Sequence, residues 1–509
     1  MRRSVAGLAA AVLVLLTACT GGGDQPSAPG DPASTAPTTT APQQAAPVVV
    51  EATYLSVPVE LEVAPVQVQG DVALLSVEYR LGAGAPPGAA FSAGQVLKTA
   101  TGAVGPTGVR LVDLEAGQVH PPGTDAQRQP AVTREALPVT AQAPATSHGL
   151  YRAPGADTVA VLFPYLGLVR DVPVVRLGAG EELPVTAEDL GRAGEITYAA
   201  APVDQFTVAF DDSSSTRVSH EDVTVALASD VLFGVDLAGL SPEAQGVVDR
   251  AASEIAAKAA EGRVEVVGHT DDVASPEHNQ DLSVRRAQAV VDRLAPVLGT
   301  GFEVVAEGRG ESEPAVAGTS PEARAANRRV ELRFTAATPG ASVDVGSDAA
   351  VPEPTGPVAS GGAAVEVAGV TGFAVRALAV EPVGPFLVGT LEVERTGAGT
   401  AQPTGLFGDF VQGLATGRGL SALAMGGGAH NATLLGDASR VYPLDYVRPA
   451  AESVTSDVRA VVADEWVVAP MAPGETVTTT VPWPDPGGDT VTVDVPERFR
   501  LADVPVTRP

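Results

Sequence analysis

The sequence predicts a multidomain protein in which a central α/β domain of βαβαβ type is flanked by two all-β, immunoglobulin-like sandwiches. The chain has 509 residues, more than a single hydrophobic core usually organises. Its 55 glycines and 43 prolines separate short apolar runs toward both ends, which is typical of antiparallel β structure. Between about residues 215 and 336 the pattern changes, and apolar residues recur at helical spacing.

The N-terminus has the pattern of a bacterial lipoprotein signal. A basic start precedes the apolar stretch Val5 to Leu16, which is too short to span a bilayer. Leu16-Thr17-Ala18-Cys19 resembles a lipobox. Residues 1–18 are therefore predicted to be a signal peptide. Cys19 is predicted to carry the lipid, which includes palmitate. An ordinary secretory signal with a chance cysteine is the alternative. The lipid would anchor the chain outside the cytoplasm, on the cytoplasmic membrane of a Gram-positive cell or in the outer membrane of a Gram-negative one.

Charge and cysteine content exclude several functional classes. A net charge of −29 argues against a basic surface that could bind nucleic acid or anionic lipid. Cys19 is the only cysteine, so no disulfide within the chain is expected. Once lipid is attached to Cys19, no thiol is left for catalysis.

Two segments of low complexity divide the chain. Residues 19–48 are rich in Pro, Thr, Ala and Gly and predict a disordered tether after the lipid. Residues 337–363 form a second linker, and the two segments bound β-sandwich domains predicted at 49–200 and 364–509. The expected strands are Val57–Val68, Val72–Tyr79, Val109–Leu114, Thr158–Pro164, Leu168–Leu177, Phe373–Val380, Phe386–Val393, Val441–Val447, Thr476–Val481 and Thr490–Val495.

The second β region has the pattern of a repeat of the first. "VAPVQVQGDVALLSVEYR" matches "LAVEPVGPFLVGTLEVER" in the order of residue types, and "RAPGADTVAVLFPYLG" matches "MAPGETVTTTVPWPDPGG". The shared Ala-Pro-Gly predicts a turn that enters a strand. Chance recurrence in a chain of this composition is the alternative. We expect both regions to act as spacers or to dock envelope proteins.

Ser-Pro-Glu triplets mark the starts of two helices in the central region, 215–336. Ser241 and Ser275 are predicted N-caps, each followed by a proline in the first turn. The order β-α-β-α-β, with a loop and a final strand, predicts a compact α/β sandwich. The strands are expected at Ser229–Phe233, Arg263–Gly268, Phe302–Ala306 and Arg328–Phe334.

The densest polar chemistry of the chain is the segment "GHTDDVASPEHNQDLSVRRA" at 268–287. Asp271 comes just after a strand, whereas Asn279 and Arg286 lie about 20° apart around the following helix. An acid and a guanidinium at one pocket mouth suit a zwitterionic ligand. The carboxylate binds an ammonium group, and the arginine fork binds a carboxylate.

Four separated motifs resemble those of the OmpA-like peptidoglycan-binding domain. They are "VLFGVDLAGLSPEA", "VEVVGHTDDVASPEHNQDLSVRRAQAVVDRL", "AEGRGESEP" and "NRRVEL", each at the strand or helix end where the family has it. The resemblance is confined to the central region. It implies non-covalent binding of the peptidoglycan stem peptide through its diaminopimelate, with no catalytic residues and no cofactor.

The resemblance also implies roles for individual residues. Asp271 matches the family residue that binds the ammonium group of diaminopimelate, and Arg286 matches the one that binds its carboxylate. A structural ion pair between these two residues is the alternative. The other family positions at or near the ligand are Asn279, Asp236, Arg329 and Thr270.

One departure from the family pattern affects the loop after Asp271. The family usually has a glycine there, whereas this chain reads Asp272-Val273-Ala274-Ser275. A tight turn with positive φ is strained without glycine, so we expect a reshaped loop. The additional carboxylate of Asp272 is expected to favour cations.

Metal and catalytic sites are the rival interpretations. His269, Asp271, Asp272 and His278 are metal-ligand types, but no helical His-x-x-x-His pair supports a metal, and none is predicted. Ser219-His220-Glu221-Asp222 contains triad residue types only as chain neighbours. A cell-wall hydrolase therefore lacks a supporting motif. An adhesin or envelope interaction protein that uses the β regions is a further alternative, with the central domain as its anchor.

Overall fold

The computed structural model describes residues 45–99, 104–408, 418–420, 428–448, 458–463 and 469–508. The predicted signal peptide, Cys19 and most of the predicted tether lie outside these ranges. Strands predominate in the part that is described. None of the helices in these ranges has the length and apolar composition needed to cross a membrane.

The N-terminal β region is built mainly from antiparallel strands. Its elements are β1 (Val48–Tyr54), β2 (Val57–Val63), β3 (Val66–Gln69), β4 (Val72–Leu81), β5 (Phe91–Ser92), α1 (Ala93–Val96), β6 (Arg110–Asp113), β7 (Gln118–His120), β8 (Pro138–Val139), β9 (Ala145–Arg152), β10 (Thr158–Phe163) and β11 (Gly167–Arg176). Alternate residues of β2 are buried, because one face of the strand packs on the core. The single strand predicted at Val57–Val68 is two strands, interrupted at Ala64 and Pro65, because proline has no N–H for the ladder.

The central region places helices α3 and α4 on one face of a mixed sheet. Its elements are β12 (Ala201–Ala209), β13 (Ser214–Ser219), β14 (Asp222–Ala228), α2 (Ser229–Leu232), α3 (Pro242–Lys258), β15 (Gly262–His269), α4 (Pro276–Leu298), β16 (Phe302–Gly310), α5 (Pro321–Asn327) and β17 (Arg329–Thr335). Across the sheet the order is β12-β13-β14-β17-β15-β16, and only β15 and β16 are parallel. Val225, Val266 and Leu332 project from the sheet into the same core as Val248 and Leu294 of the helices.

Each of the longer helices of this region starts at a Ser-Pro-Glu triplet. The hydroxyl of Ser241 accepts a hydrogen bond from the N–H of Ala244 at 3.0 Å, and that of Ser275 accepts one from His278 at 3.3 Å. Both predicted N-caps are therefore present. The short helix α5 was not predicted, although Ser320 caps it in the same way, at 3.2 Å from the N–H of Ala323.

The prediction of a strand at Ser229–Phe233 was wrong. The chain forms the one-turn helix α2 there, and the strand, β14, ends just before it at Ala228. The buried residues Val223, Val225 and Leu227 of β14 alternate with more exposed ones, which is the period of two that identifies a strand.

Helix α4 packs directly on β15 and β16 at two glycines. A Cβ atom on Gly268 would lie 2.2 Å from the carbonyl oxygen of Ser283, and one on Gly308 would lie 2.6 Å from the backbone nitrogen of Val284. No larger residue fits at either position without a shift of the helix. This contact brings the N-terminal half of α4 to the ends of the two parallel strands.

The C-terminal region is again built of strands. They are β18 (Val358–Ser360), β19 (Val365–Glu366), β20 (Phe373–Val383), β21 (Phe386–Arg395), β22 (Thr433–Leu435), β23 (Ser439–Val441), β24 (Asp445–Arg448), β25 (Val458–Val461), β26 (Thr476–Pro484), β27 (Thr490–Val495) and β28 (Phe499–Pro505). The matching sequence segments fall on the hairpins β3-β4 and β20-β21, and Ala-Pro-Gly precedes both β10 and β26. The duplication itself stays a prediction.

The N-terminal and C-terminal β regions share one hydrophobic core. Leu61 and Val161 of the first belong to the same buried cluster as Leu391 and Trp483 of the second. Strand β1 also pairs with β26. The predicted domain limits and the immunoglobulin-like class of these regions stay predictions.

Strand β12 joins the three regions, and it lies in the interval between the predicted domains 49–200 and 215–336. It pairs with β7 of the first region, with β13, and with β23 and β24 of the last. A buried ion cluster reinforces the junction. Asp445 accepts hydrogen bonds from Arg418 at 2.7 Å, Arg459 at 2.8 Å and Arg217 at 3.2 Å.

The close contact of α4 with β15 gives a test of the fold. Gly268→Ala is expected to lower the free energy of unfolding by about 3 kcal/mol or more, because the methyl group overlaps backbone atoms that cannot move independently. Gly246→Ala in α3 is the matched control. Its Cβ has space, and alanine is the better helix former by up to about 1 kcal/mol, so this variant should be slightly stabilised. Equal denaturant midpoints for the two variants would contradict the packing.

Candidate functional site

The candidate site lies where β15 ends and α4 begins. The segment 270–275 connects these two elements, and the segments 233–241 and 311–320 lie beside it. The backbone N–H of Thr270 donates to the carbonyl of Gly310 at 2.9 Å, which fixes the end of β15 against the end of β16. Polar side chains from three loops therefore meet at one end of the sheet.

Asp271 is held by an arginine that sequence reasoning did not assign to it. Its carboxylate accepts a hydrogen bond from Nη1 of Arg328 at 2.8 Å, and 16% of the side chain is exposed. Arg328 also forms a two-point contact with Asp230, at 2.7 and 2.5 Å. The hydrogen bond with Asp230 raises the pKa of Arg328, against the effect of burial, and Asp271 adds to the rise.

Arg286 is a buried cation with no ion pair to any described residue. Only 5% of the residue is exposed, its Nε donates to the carbonyl of Leu237 at 3.0 Å, and its guanidinium lies 5.1 Å from the ring centre of Phe233. Neither Nη atom has a hydrogen bond to a described residue. Burial lowers the pKa of Arg286, and the carboxylates of Asp230 and Asp236 act against that shift.

Asn279 and Thr270 organise the loop between β15 and α4. The Nδ2 group of Asn279 donates to the backbone carbonyl of Asp271 at 3.1 Å and to the carboxylate of Glu311 at 2.6 Å. Both residues are buried, and the hydroxyl of Thr270 has no hydrogen-bond partner among the described residues. Asn279 thus fixes the backbone that presents Asp271.

Asp236 lies at the rim of the site, in the loop that precedes α3. Its backbone is left-handed, with φ at 58°, and its carboxylate lies 2.7 Å from Nε2 of His278 in the first turn of α4. The two exposed side chains connect the loop to the helix. Val235 and Leu237, on either side of Asp236, are exposed apolar residues.

The structure places Arg329 apart from Asp271. Its Nε donates to Glu331 at 2.7 Å, on the face of β17 opposite helices α3 and α4. Burial raises the pKa of Glu331, but His269, Arg329 and Arg333 outweigh burial, and the pKa lies well below the ordinary value. The alternation of a strand could have indicated this, because Arg329 shares a face with Glu331 and not with the buried apolar residues.

The loop without the family glycine is not strained. Residues 271–275 are all described, and none of them has a positive φ. Asp272 forms an ion pair with Arg324 of α5, with Oδ1 at 2.7 Å from Nε, and this contact lowers the pKa of Asp272. The additional carboxylate of Asp272 is therefore already paired with a cation of the protein itself.

Sequence reasoning missed several residues of the site. Glu311 contacts Asn279 and Arg328 contacts Asp271 from segments that are distant in the chain. Asp230 and Arg324 contact Arg328 and Asp272 beside them. The Ser-Pro-Glu triplet at 320–322 could have indicated α5, and with it the position of Arg324. The remaining contacts depend on the way the loops meet in three dimensions.

Comparisons with known proteins agree with the fold of this region. The profile of the OmpA family matches residues 232–328. Outer membrane protein A of Escherichia fergusonii is 38% identical over 116 residues, which cover 21% of this chain and 48% of that protein. Outer membrane protein A of Citrobacter freundii is 40% identical over 116 residues, which cover 21% of this chain and 49% of that protein. About half of each relative therefore lies outside the match.

A solved structure is also similar to part of the chain. The cell wall anchor of the T6SS from Pseudomonas aeruginosa is 31% identical, with 25% of this chain and 90% of that chain covered and a TM-score of 0.22. The family match contains the second and third motifs and overlaps the first and fourth, and the OmpA-like domain predicted from these motifs is confirmed. Residues 232–328 of this chain form an OmpA-like domain.

Proposed function

We propose that the central domain binds peptidoglycan non-covalently, through the diaminopimelate of the stem peptide. The chain would be exported and held to a membrane by lipid on Cys19, so that it connects that membrane to the wall. Binding requires no bond cleavage, and the domain therefore acts as an anchor and not as a hydrolase. The β regions separate the two attachment points or bind envelope proteins.

The observation that supports this proposal most strongly is the unpaired, buried guanidinium of Arg286. A buried charge without a partner costs several kcal/mol, and titratable groups with shifted pKa values are concentrated at functional sites. A carboxylate ligand would remove this cost by accepting two parallel hydrogen bonds from the free Nη groups. The carboxylates of Asp230, Asp236 and Asp271 act on this cation and oppose the effect of burial on its pKa.

The acidic half of the site has capacity for an ammonium group. Asp271 shares Arg328 with Asp230, which holds that arginine by two hydrogen bonds of its own. A ligand ammonium can therefore bind Asp271 without leaving Arg328 unpaired. Carboxylates exceed guanidiniums among Asp230, Asp236, Asp271, Arg286 and Arg328, which favours a ligand with a cationic end.

These roles predict the effect of substitutions on binding to isolated sacculi. Arg286→Ala and Asp271→Ala should each weaken retention of the purified protein by about tenfold or more, since each removes a charge-assisted contact with the ligand. Arg285→Ala is the matched control, because Arg285 is the exposed neighbour on α4 and, within the described part of the chain, its side chain pairs only with Asp281. Retention in a sacculus pull-down measures all three.

The same experiment separates binding from catalysis. Unchanged retention of both the Asp271 and the Arg286 variants would contradict the site. Soluble muropeptides released during incubation would favour the hydrolase instead of the anchor.

The proposed lipid anchor predicts a second outcome. Cys19→Ala should abolish incorporation of labelled palmitate and move the protein from the membrane fraction to the soluble fraction, because the attached chains provide the membrane affinity. Binding to sacculi should be unchanged, since the site lies in the central domain. Persistent membrane fractionation of the unlabelled Cys19→Ala protein would contradict the anchor.

A further inference from the structure

A cleft of about 500 Å³ lies on the face of the central sheet opposite helices α3 and α4. That volume is within the range of roughly 300–1,000 Å³ that is usual for sites of small organic ligands. The floor is formed by half-buried side chains of β13 and β14, among them Ser215, Thr224 and Ala226. Arg329 and Glu331 of β17 complete the floor of the cleft. Solvent reaches this floor between the walls.

The walls come from different parts of the chain. One wall is α5, which contributes Glu322, Ala325 and Ala326. The opposite wall consists of Phe206 of β12 and Tyr442, whose ring centres are 5.5 Å apart. Both aromatic residues lie outside the OmpA family match at 232–328, so the cleft is a feature that the flanking regions add to the domain.

The chemistry of the cleft favours an uncharged ligand rich in hydroxyl and amide groups. Its arginines already have carboxylate partners, since Arg217 pairs with Asp445, Arg328 with Asp230, and Arg329 with Glu331. They therefore leave no unpaired cation for an anionic ligand.

Exposed carboxylates and small residues complete the surface. Asp212 and Glu322 lie at the mouth, where carboxylate oxygens can accept hydrogen bonds from ligand hydroxyl and N–H groups. Ala226, Ala228 and Ala325 leave width between the polar groups for a bulky ring. Polar acceptors and small alanine surfaces are together suited to a saccharide, whereas the rings of Phe206 and Tyr442 are buried and only support the wall.

The cleft is continuous with the diaminopimelate site. Asp230 and Arg328 line it, and Arg328 also binds Asp271. In the wall polymer two amino-acid residues separate diaminopimelate from the sugar, and an extended chain of that length spans about 7 Å. A stem peptide bound at Asp271 and Arg286 can therefore place its own sugar in the cleft.

We propose that this cleft binds the amino-sugar glycan to which the bound stem peptide is attached. The proposal rests on the proposed function, because the peptide brings the sugar to the cleft. The domain would then recognise the peptide and the sugar of one repeating unit together. A free peptide would use only part of the binding surface.

The test compares two ligands by calorimetry on the full chain. The probes are the free stem tripeptide that ends in diaminopimelate and the same tripeptide attached to its disaccharide. The disaccharide should increase affinity by about tenfold or more, as two or three net hydrogen bonds would. Ala325→Trp, which fills the cleft from an exposed position, should reduce that gain to less than about threefold and leave tripeptide affinity unchanged.

Ala257→Trp is the matched control, because Ala257 is an exposed alanine of α3 away from the cleft, and this variant should keep the gain. If Ala325→Trp also weakens binding of the tripeptide, Glu322→Gln is the second test, since it removes one exposed negative charge without a change of shape. In this variant the increase in affinity that the disaccharide provides must become smaller.

The failures of the two proposals differ. Loss of all tripeptide binding to the unaltered protein would overturn the proposed function, and the cleft proposal with it. Tripeptide binding without a gain from the disaccharide, or a gain that survives in Ala325→Trp and Glu322→Gln, would overturn the cleft proposal alone.

Discussion

The contact of helix α4 with Gly268 and Gly308 is the constraint on which the site depends. Because neither glycine has a side chain, the helix lies directly on the ends of β15 and β16. That position sets Asn279 against the loop after β15 and buries Arg286 beneath Leu237. The backbone contact thus decides the geometry of the polar groups, and their own hydrogen bonds refine it.

The ion pairs then distinguish the charged side chains that hold the loops together from those that are available to a ligand. Asp272 pairs with Arg324, and Arg328 is divided between Asp230 and Asp271. Arg286 alone among these cations has no carboxylate partner within the described residues. A protein surface with many carboxylates could have supplied one, so the unpaired guanidinium is the group that most needs a ligand.

The local parts of this arrangement could be predicted from the sequence, and the contacts between segments could not. The N-caps at Ser241 and Ser275, the α/β order and the family resemblance follow from patterns within short windows. Arg328 and Asp271 are 57 positions apart, and no periodicity relates them. The face on which Arg329 lies could have been predicted from strand alternation, whereas the pairing of β12 with β24 and the shared core of the β regions depend on contacts between segments that are distant in the chain.

Arg286 is proposed to recognise a carboxylate beside an ammonium group that binds Asp271. Calorimetric titration with the stem tripeptide that ends in diaminopimelate, and with the same tripeptide ending in lysine, tests this most directly, because lysine at that position lacks the carboxylate next to its side-chain ammonium group. We expect the lysine peptide to bind about 10- to 100-fold more weakly, as the loss of a hydrogen-bonded charge implies. Equal affinities for the two peptides would contradict the proposal.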